Sequence, residues 1–315
     1  MVAGILILML ASVMFGINPT LTKELIQTGM SPSCIVFFSH SAICLFNLSA
    51  AAIKHSMVKI SLRQMGVMLM TGAAGMGMTS LLLGTAYMMI PVGLTTILHF
   101  LYPLFVVCIM TTIFKEKFIW RKAVGMAGAL CGLTMIVQVD STQSVKGILI
   151  AIASGLVYAI YIIISDKGCF VLLPIHTKMV FMALGSMLFL GVQSALTGTL
   201  ALPPSLKAWA FLAFQCCVSI IGYTGLTYGI SRTGASVAAF ATTLEPVTSV
   251  VAGIVVYREV ITPSMAAGIA LILASVLTIA TESKLRRQPE TQSPVSSGSL
   301  ENTIFELEGE NSDNV

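Results

Sequence analysis

Glu245 is the acidic residue that lies deepest within an apolar stretch of this sequence. The chain has 13 acidic residues, and the others fall near the ends of apolar stretches or in polar segments. In the stretch 233–257, Glu245 is about 12 residues from either end, or roughly 18 Å by helical rise. A carboxylate at that depth in a bilayer is costly unless it is paired, hydrated or protonated. Glu245 is therefore a candidate for substrate binding or proton coupling; the alternative is a hydrogen-bonded carboxyl that supports the break at Pro246.

Thr95, His99 and Tyr102 form a polar stripe with helical spacing in the stretch 92–114. Imidazole titrates near neutral pH, so His99 is the second candidate for proton coupling. Tyr102 is a candidate for the wall of a substrate cavity. His99 has the alternative interpretation of a hydrogen-bonded packing residue, and so has His40, which two serines flank in the stretch 32–53.

Other polar side chains recur at helical spacing in the remaining apolar stretches. Polar groups are costly against lipid, so they should face the interior, where they either bind a substrate or join neighbouring helices. The candidates for lining a cavity are Asn18, Tyr158, Tyr161, Gln215 and Tyr223.

Three prolines lie inside apolar stretches, where each removes a backbone donor and frees carbonyl groups. Pro19, Pro103 and Pro246 are therefore candidate hinges. A kink without a role in conformational change is the alternative for each.

The sequence carries no pattern that predicts catalysis or a bound cofactor. It has no GxxxxGK[ST] nucleotide loop, no HExxH and no paired intramembrane aspartates. The seven cysteines form no CxxC or Cys/His spacing, so we expect no metal site. The basic residues lie in short segments between apolar stretches instead of forming a patch, so we expect no nucleic-acid partner.

The composition predicts an all-α membrane protein. The chain is 56% hydrophobic and 10% charged, whereas soluble domains carry roughly 25% charged residues. We predict ten transmembrane helices, with a fused or missing helix around Ile90-Pro91 as the nine-helix alternative. They lie near 3–24, 32–53, 64–89, 92–114, 120–138, 147–165, 175–198, 207–228, 233–257 and 262–281.

The distribution of basic residues orients these helices. With a cytoplasmic N-terminus, 13 of the 17 lysines and arginines fall on the cytoplasmic side. Both termini are then cytoplasmic, and an even number of crossings follows. We expect a multi-pass protein of the inner (plasma) membrane of a bacterium.

The sequence also contains a weak internal repeat. A shift of 143 residues places Tyr102-Pro103 on Glu245-Pro246 and Lys115-Glu116 on Arg258-Glu259. Five crossings are an odd number, so the second unit should be inverted relative to the first, with a site near the midplane between them. The predicted domains are a first repeat over 1–139, an inverted second repeat over 140–281, and a polar cytoplasmic tail over 282–315 that we expect to be disordered.

Gly128 and Gly132 form a GxxxG in the fifth predicted helix. The spacing serves helix contacts within one chain or between two copies. The spacing therefore does not distinguish a monomer from a homodimer.

Three segments resemble the drug/metabolite transporter superfamily, and within it the ten-helix EamA type. They are FGINPTLTK at 15–23, YPLFVVCIMTTIFKEK at 102–117, and LEPVTSVVAGIVVYRE at 244–259 with Gly268 beyond. Phe15 stands where the family usually has tryptophan. The matching positions are Phe15, Gly16, Asn18, Lys23, Pro103, Glu245 and Pro246.

The resemblance implies export or exchange of a small metabolite through a central cavity between two halves. Together with the inverted repeat, it predicts a secondary transporter of small polar metabolites such as amino acids, working by alternating access, with proton coupling as one option. The partners would be that small molecule and the lipid bilayer. The alternatives are a multidrug or other-solute permease of the same fold, and a non-transporting membrane sensor.

Overall fold

The computed structural model describes residues 2–90, 92–116, 120–136, 144–257, 263–264, 266–271 and 274–275, and these residues form helices and short turns. The predicted tail 282–315, the pair Arg258-Glu259 and half of the tenth predicted helix lie outside the described residues. The first three helices are α1 (Val2–Gln27), α2 (Pro32–Ile53) and α3 (Leu62–Met70), and α3 continues through a π-helical turn (Thr71–Gly77) into α4 (Met78–Tyr87).

The next helices are α5 (Val92–His99), α6 (Tyr102–Thr112), α7 (Trp120–Ile136), α8 (Val145–Lys167) and α9 (Ile175–Leu196). They are followed by α10 (Leu206–Thr233), α11 (Ala235–Ala241), a 3₁₀ turn (Thr242–Leu244) and α12 (Glu245–Tyr257). Residues 266–271 are also helical.

Serine side chains start four of the helices. In each, the hydroxyl oxygen accepts a hydrogen bond from the backbone N–H three residues later, which satisfies a donor that the first helical turn leaves open. The capping residues are Ser31, Ser61, Ser144 and Ser205. Ser61 and Gln64 form a reciprocal capping box.

Six helices in the described part of the chain are long and apolar enough to cross a membrane. They are Ala3–Gln27, Pro32–Ile53, Leu62–Tyr87, Val145–Lys167, Ile175–Leu196 and Leu206–Thr233. All six coincide with predicted spans. The chain also has shorter apolar helices, Tyr102–Thr112 and Ala123–Gly132.

The predicted spans 92–114 and 233–257 are not single helices. The first divides into α5 and α6 around Phe100-Leu101, and the second divides into α11 and α12 at the 3₁₀ turn. In both, a proline is the second residue of the following helix, Pro103 in α6 and Pro246 in α12. Proline has no N–H and cannot continue a preceding helix, but a first turn has no partner for that N–H. Pro103 and Pro246 therefore lie in the first turn of a second helix and not inside a continuous one, and their role as hinges stays a prediction.

The long helices pack in antiparallel pairs. Along α1 and α10, Gly4 lies against Arg232, and Leu8 lies against Gly229. Along α2 and α9, Ser33 contacts Thr199 at one end. At the other end of that pair, His176 donates to Asn47 (3.0 Å).

Helices α2 and α9 occupy equivalent positions in the two repeats. Pro32 and Ile53 shifted by 143 residues fall on Ile175 and Leu196, the bounds of α9. The two equivalent helices thus run in opposite directions through the molecule.

Glycine allows the closest approach between helices. A Cβ at Gly72 in the π-helical turn would lie 1.7 Å from the Met182 carbonyl oxygen of α9, and one at Gly185 would lie 2.1 Å from the Leu69 carbonyl oxygen. The two helices are therefore in backbone contact at this level. Small residues are the usual means of such contact in membranes.

Candidate functional site

A polar cavity of about 90 Å³ lies among α1, α2, α4, α10 and the break before α12. If each water-sized group needs about 10–15 Å³ of such volume, the cavity has room for about six to nine of them. Its polar and ring-bearing lining residues are Phe15, Asn18, Thr22, Ser39, His40, Thr79, Ser80, Tyr87, His99, Tyr158, Gln215, Ser219, Tyr223 and Glu245. Pro19 also lines it.

Glu245 reaches the cavity because it is the first residue of α12. The start of α12 packs on α1 at Gly16, where a Cβ would lie 2.6 Å from the Glu245 carbonyl oxygen. Thr248 donates to that carbonyl (2.8 Å). Ser12 of α1 donates to the carbonyl of Ala241 (3.2 Å), at the end of α11. The backbone on both sides of the break is thus held by α1.

Gln215 joins α10 to α1 at the cavity wall. Its amide nitrogen donates to Asn18 Oδ1 and to Thr22 Oγ1 (3.3 Å), and the Thr22 hydroxyl donates to Asn18 Oδ1 (3.5 Å). Gln215 is 3% exposed, and its carbonyl oxygen Oε1 has no hydrogen-bond partner within the described structure. An acceptor that is buried and unpaired in this way is costly, so it marks a place for a donor.

The neighbours of His99 place a proton on its Nδ1 atom. The Ser154 hydroxyl donates to the Ala151 carbonyl (2.6 Å), so Ser154 accepts from Nδ1 of His99 (2.9 Å). With the proton on Nδ1, the other ring nitrogen, Nε2, is an acceptor. His40 similarly contacts the Ser186 hydroxyl through Nδ1 (2.5 Å).

Aromatic rings form two groups at the cavity wall. Phe15 packs edge-on against Tyr223 (5.0 Å between centroids), and His40 packs against the same ring (5.2 Å). Tyr158 contacts His99 (5.2 Å). The Tyr223 hydroxyl contacts Ser80 (3.2 Å), its equivalent in the repeat.

Six of the predicted cavity residues line this cavity: Asn18, His99, Tyr158, Gln215, Tyr223 and Glu245. Tyr102 and Tyr161 lie behind it. Tyr102 packs against Tyr158 (4.8 Å) and donates to Thr242 (2.5 Å) at the helix break, because the Thr242 hydroxyl is already committed to carbonyls of α11. Tyr161 stacks on Tyr158 (5.8 Å) and lines a separate apolar groove of about 400 Å³ between α3, α4 and α8.

The site residues predicted from the sequence did not include any residue of α4. Ser80, Gly84 and Tyr87 line the cavity. They share the spacing i, i+4, i+7 that identified His99 and Tyr102, so a search for that pattern would have found them. The small residues around 72–77 drew attention to helix packing instead.

The described residues contain no group of three or more His, Cys, Asp or Glu side chains that could hold a metal ion. The fold and the cavity define a multi-pass α-helical membrane protein with a polar internal site. The chain belongs to the EamA-like transporter family, whose model matches residues 2–138 and again 145–281. It is therefore a membrane transporter of the drug/metabolite type, built from two EamA repeats, with a small-molecule substrate.

No curated protein matches the chain. Among solved structures, one described only as a crystal structure of a protein has a TM-score of 0.71 and 17% identity. The match covers 88% of this chain and 97% of the other. At that identity the likeness concerns the fold alone.

Proposed function

We propose that the protein is a secondary transporter that moves a small polar metabolite, such as an amino acid, by alternating access between two inverted halves. The observation that carries the proposal is the polar cavity built around Glu245 from helices of both repeats. Intramembrane ionisable residues typically face substrate or proton pathways. Discontinuous helices at corresponding positions of two repeats are typical of transporter binding sites.

The antiparallel pairing of α2 and α9 supports inversion of the two halves. Ser31 at the start of α2 donates to the Thr199 carbonyl beyond the end of α9 (3.2 Å), and Lys54 beyond the end of α2 donates to His176 at the start of α9 (3.4 Å). Equivalent helices that run in opposite directions require one repeat to be turned over relative to the other. We place the repeats at 1–139 and 140–281, with 282–315 as a tail.

The two halves also differ at the positions that line the cavity, which supports alternating access. A shift of 143 residues converts the polar lining residues Asn18, Ser39, Gln215 and Ser219 into Tyr161, Met182, Gly72 and Met76. Tyr161, Met182 and Met76 are buried, and Tyr161 lines the apolar groove between α3, α4 and α8 instead of a polar cavity. A polar site formed by only one set of equivalent positions among the described residues is expected for one state of an alternating-access cycle.

The charge bias of the loops supports cytoplasmic termini in a bacterial inner membrane. In that orientation, the cavity-lining ends of α1, α2, α4 and α10 face the outside. We therefore assign this state as outward-facing and the close contact of α9 with the π-helical turn as the inner closure.

Proton coupling through Glu245 is the mechanism we favour, with His99 as the second candidate. Purified protein in liposomes should show substrate flux that changes with pH, because a carboxyl group that binds and releases a proton in each cycle makes turnover depend on proton concentration. Glu245→Gln should remove the pH dependence and lower the flux. Equal rates and equal pH dependence in the variant would rule out this role, and the matched control is Glu24→Gln, a carboxylate that pairs with Lys207 (3.7 Å).

A multidrug or other-solute permease of the same fold is the second candidate. The small volume of the cavity favours a small metabolite over a bulky drug. A counterflow screen with small metabolites and with drugs distinguishes the two candidate functions. The absence of counterflow with every compound would favour a non-transporting sensor.

A further inference from the structure

The charges and hydrogen-bond roles of the cavity wall define what kind of substrate fits. Glu245 is the acidic residue of the wall, and none of the described lining residues is a lysine or an arginine. A substrate that carries a free carboxylate would therefore meet a like charge and no cation. A substrate that carries a positive charge would compensate Glu245.

The neutral groups of the wall also present acceptors. Within the described part of the chain, Gln215 Oε1 is buried without a hydrogen-bond partner. In the neutral form of His99, Nε2 is an acceptor because the proton is on Nδ1, which donates to Ser154. Two hydroxyl groups have already donated their hydrogens, Ser39 to the Ile35 carbonyl and Thr22 to Asn18, so each has acceptor capacity left. These groups can accept hydrogen bonds from N–H donors on the substrate.

Aromatic rings complete this arrangement. Phe15, Tyr87, Tyr158 and Tyr223 all line the cavity. The faces of such rings attract ammonium and guanidinium groups. Charge, acceptors and rings thus favour the same ligand.

We infer that the cavity binds its substrate as an organic cation, through an ammonium group that pairs with Glu245 and donates to Gln215 Oε1 and His99 Nε2. This inference rests on the proposed transport function and narrows its substrate class. The rest of the substrate is small, as the cavity volume requires.

Compounds that share a 3-methylbutyl group but differ in charge test this inference. They are 3-methylbutylammonium, the neutral 3-methylbutan-1-ol, the anion 4-methylpentanoate and zwitterionic leucine. Binding to the purified wild-type protein in detergent is measured by calorimetry and by the shift of the unfolding midpoint. The ammonium compound should bind at least about tenfold more tightly than the other three, a difference of about 1.4 kcal/mol. Equal binding of the alcohol, or tighter binding of leucine or the anion, would overturn the inference.

Two variants extend the test to the residue level. Glu245→Gln should reduce the affinity for 3-methylbutylammonium at least about tenfold and leave that for the alcohol unchanged, whereas Glu24→Gln should alter neither. An unchanged affinity in Glu245→Gln would overturn the inference. The comparison of compounds on the wild-type protein stands even if this variant fails to fold.

Counterflow with the same compounds separates this inference from the proposed function. If leucine or the anion is transported and the ammonium compound neither binds nor competes, the chain is a transporter and the cation assignment is wrong. If the ammonium compound binds with the expected preference but no compound crosses the membrane, the site assignment holds and the transport proposal fails.

Discussion

At the scale of single residues, the cavity depends on side chains that hold each other in defined hydrogen-bond roles. Gln215 uses its amide N–H groups on Asn18 and Thr22, which leaves Oε1 buried and without a hydrogen-bond partner among the described residues. Ser154 fixes the tautomer of His99 in the same way. The polarity of the site is therefore set by neighbours that do not themselves need to touch a substrate.

Gln215→Leu tests this arrangement through stability. Asn18 and Thr22 would lose a donor while staying partly buried, so the free energy of unfolding should fall by about 1–3 kcal/mol. The measurement is thermal or denaturant unfolding of the purified protein. Gln27→Leu makes the same chemical change at an exposed position of α1 and should have little effect. Equal stability of both variants and the wild type would contradict a structural role for the Gln215 hydrogen bonds.

At the scale of helices, the π-helical turn Thr71–Gly77 and the end of α3 are in backbone contact with α9. Single π-turns often occur at functional sites. In the proposed cycle this contact is the inner closure, so its tightness should influence how readily the two halves rearrange. Gly72 and Gly185 are the residues that permit it.

Gly72→Ala tests the contact because its Cβ would overlap the Met182 carbonyl. The helices must separate, and we expect a loss of about 1–3 kcal/mol of stability, as for other overpacked sites, together with altered transport. Gly66→Ala is the matched control, since a Cβ there meets nothing within 4 Å. Alanine also favours a helix over glycine by up to about 1 kcal/mol, so this control should be neutral or stabilising. A Gly72→Ala protein as stable as Gly66→Ala would show that the close contact is absent in the membrane.

At the scale of the whole molecule, inversion of one repeat would explain both the antiparallel pairing of equivalent helices and a cavity that is not repeated in polar form. If one repeat is turned over relative to the other, each face of the membrane meets one copy of every element. In the proposed cycle, larger side chains at equivalent positions, Met182 for Ser39 and Met76 for Ser219, would favour closure of one face while the other stays open. The proposed orientation places the segment after α9 outside and the segment after α2 in the cytoplasm.

Single cysteines in a background without the native ones check this orientation. Leu200 and Met57 are both exposed, so the thiols of Leu200→Cys and Met57→Cys should be equally reactive in detergent. In intact cells, an impermeant thiol reagent should label Leu200→Cys and should reach Met57→Cys only after permeabilisation. The reverse pattern would place the N-terminus outside, and labelling of both would contradict a membrane between them.

The sequence determined the class of the protein, because apolar length, charge placement and a 143-residue repeat are properties of the chain itself. It also identified Glu245, Asn18, His99 and Gln215, since polar groups at membrane depth need a polar environment wherever the helices lie. It did not separate Tyr158, which lines the cavity, from Tyr102 and Tyr161, which lie behind it, because helical spacing gives a face but not the neighbour that covers it. The breaks at 100–101 and 242–244, the Gln215 oxygen that has no partner among the described residues and the separation of the polar cavity from the apolar groove at Tyr161 depend on contacts between residues far apart in the chain, and only the tertiary structure decides those.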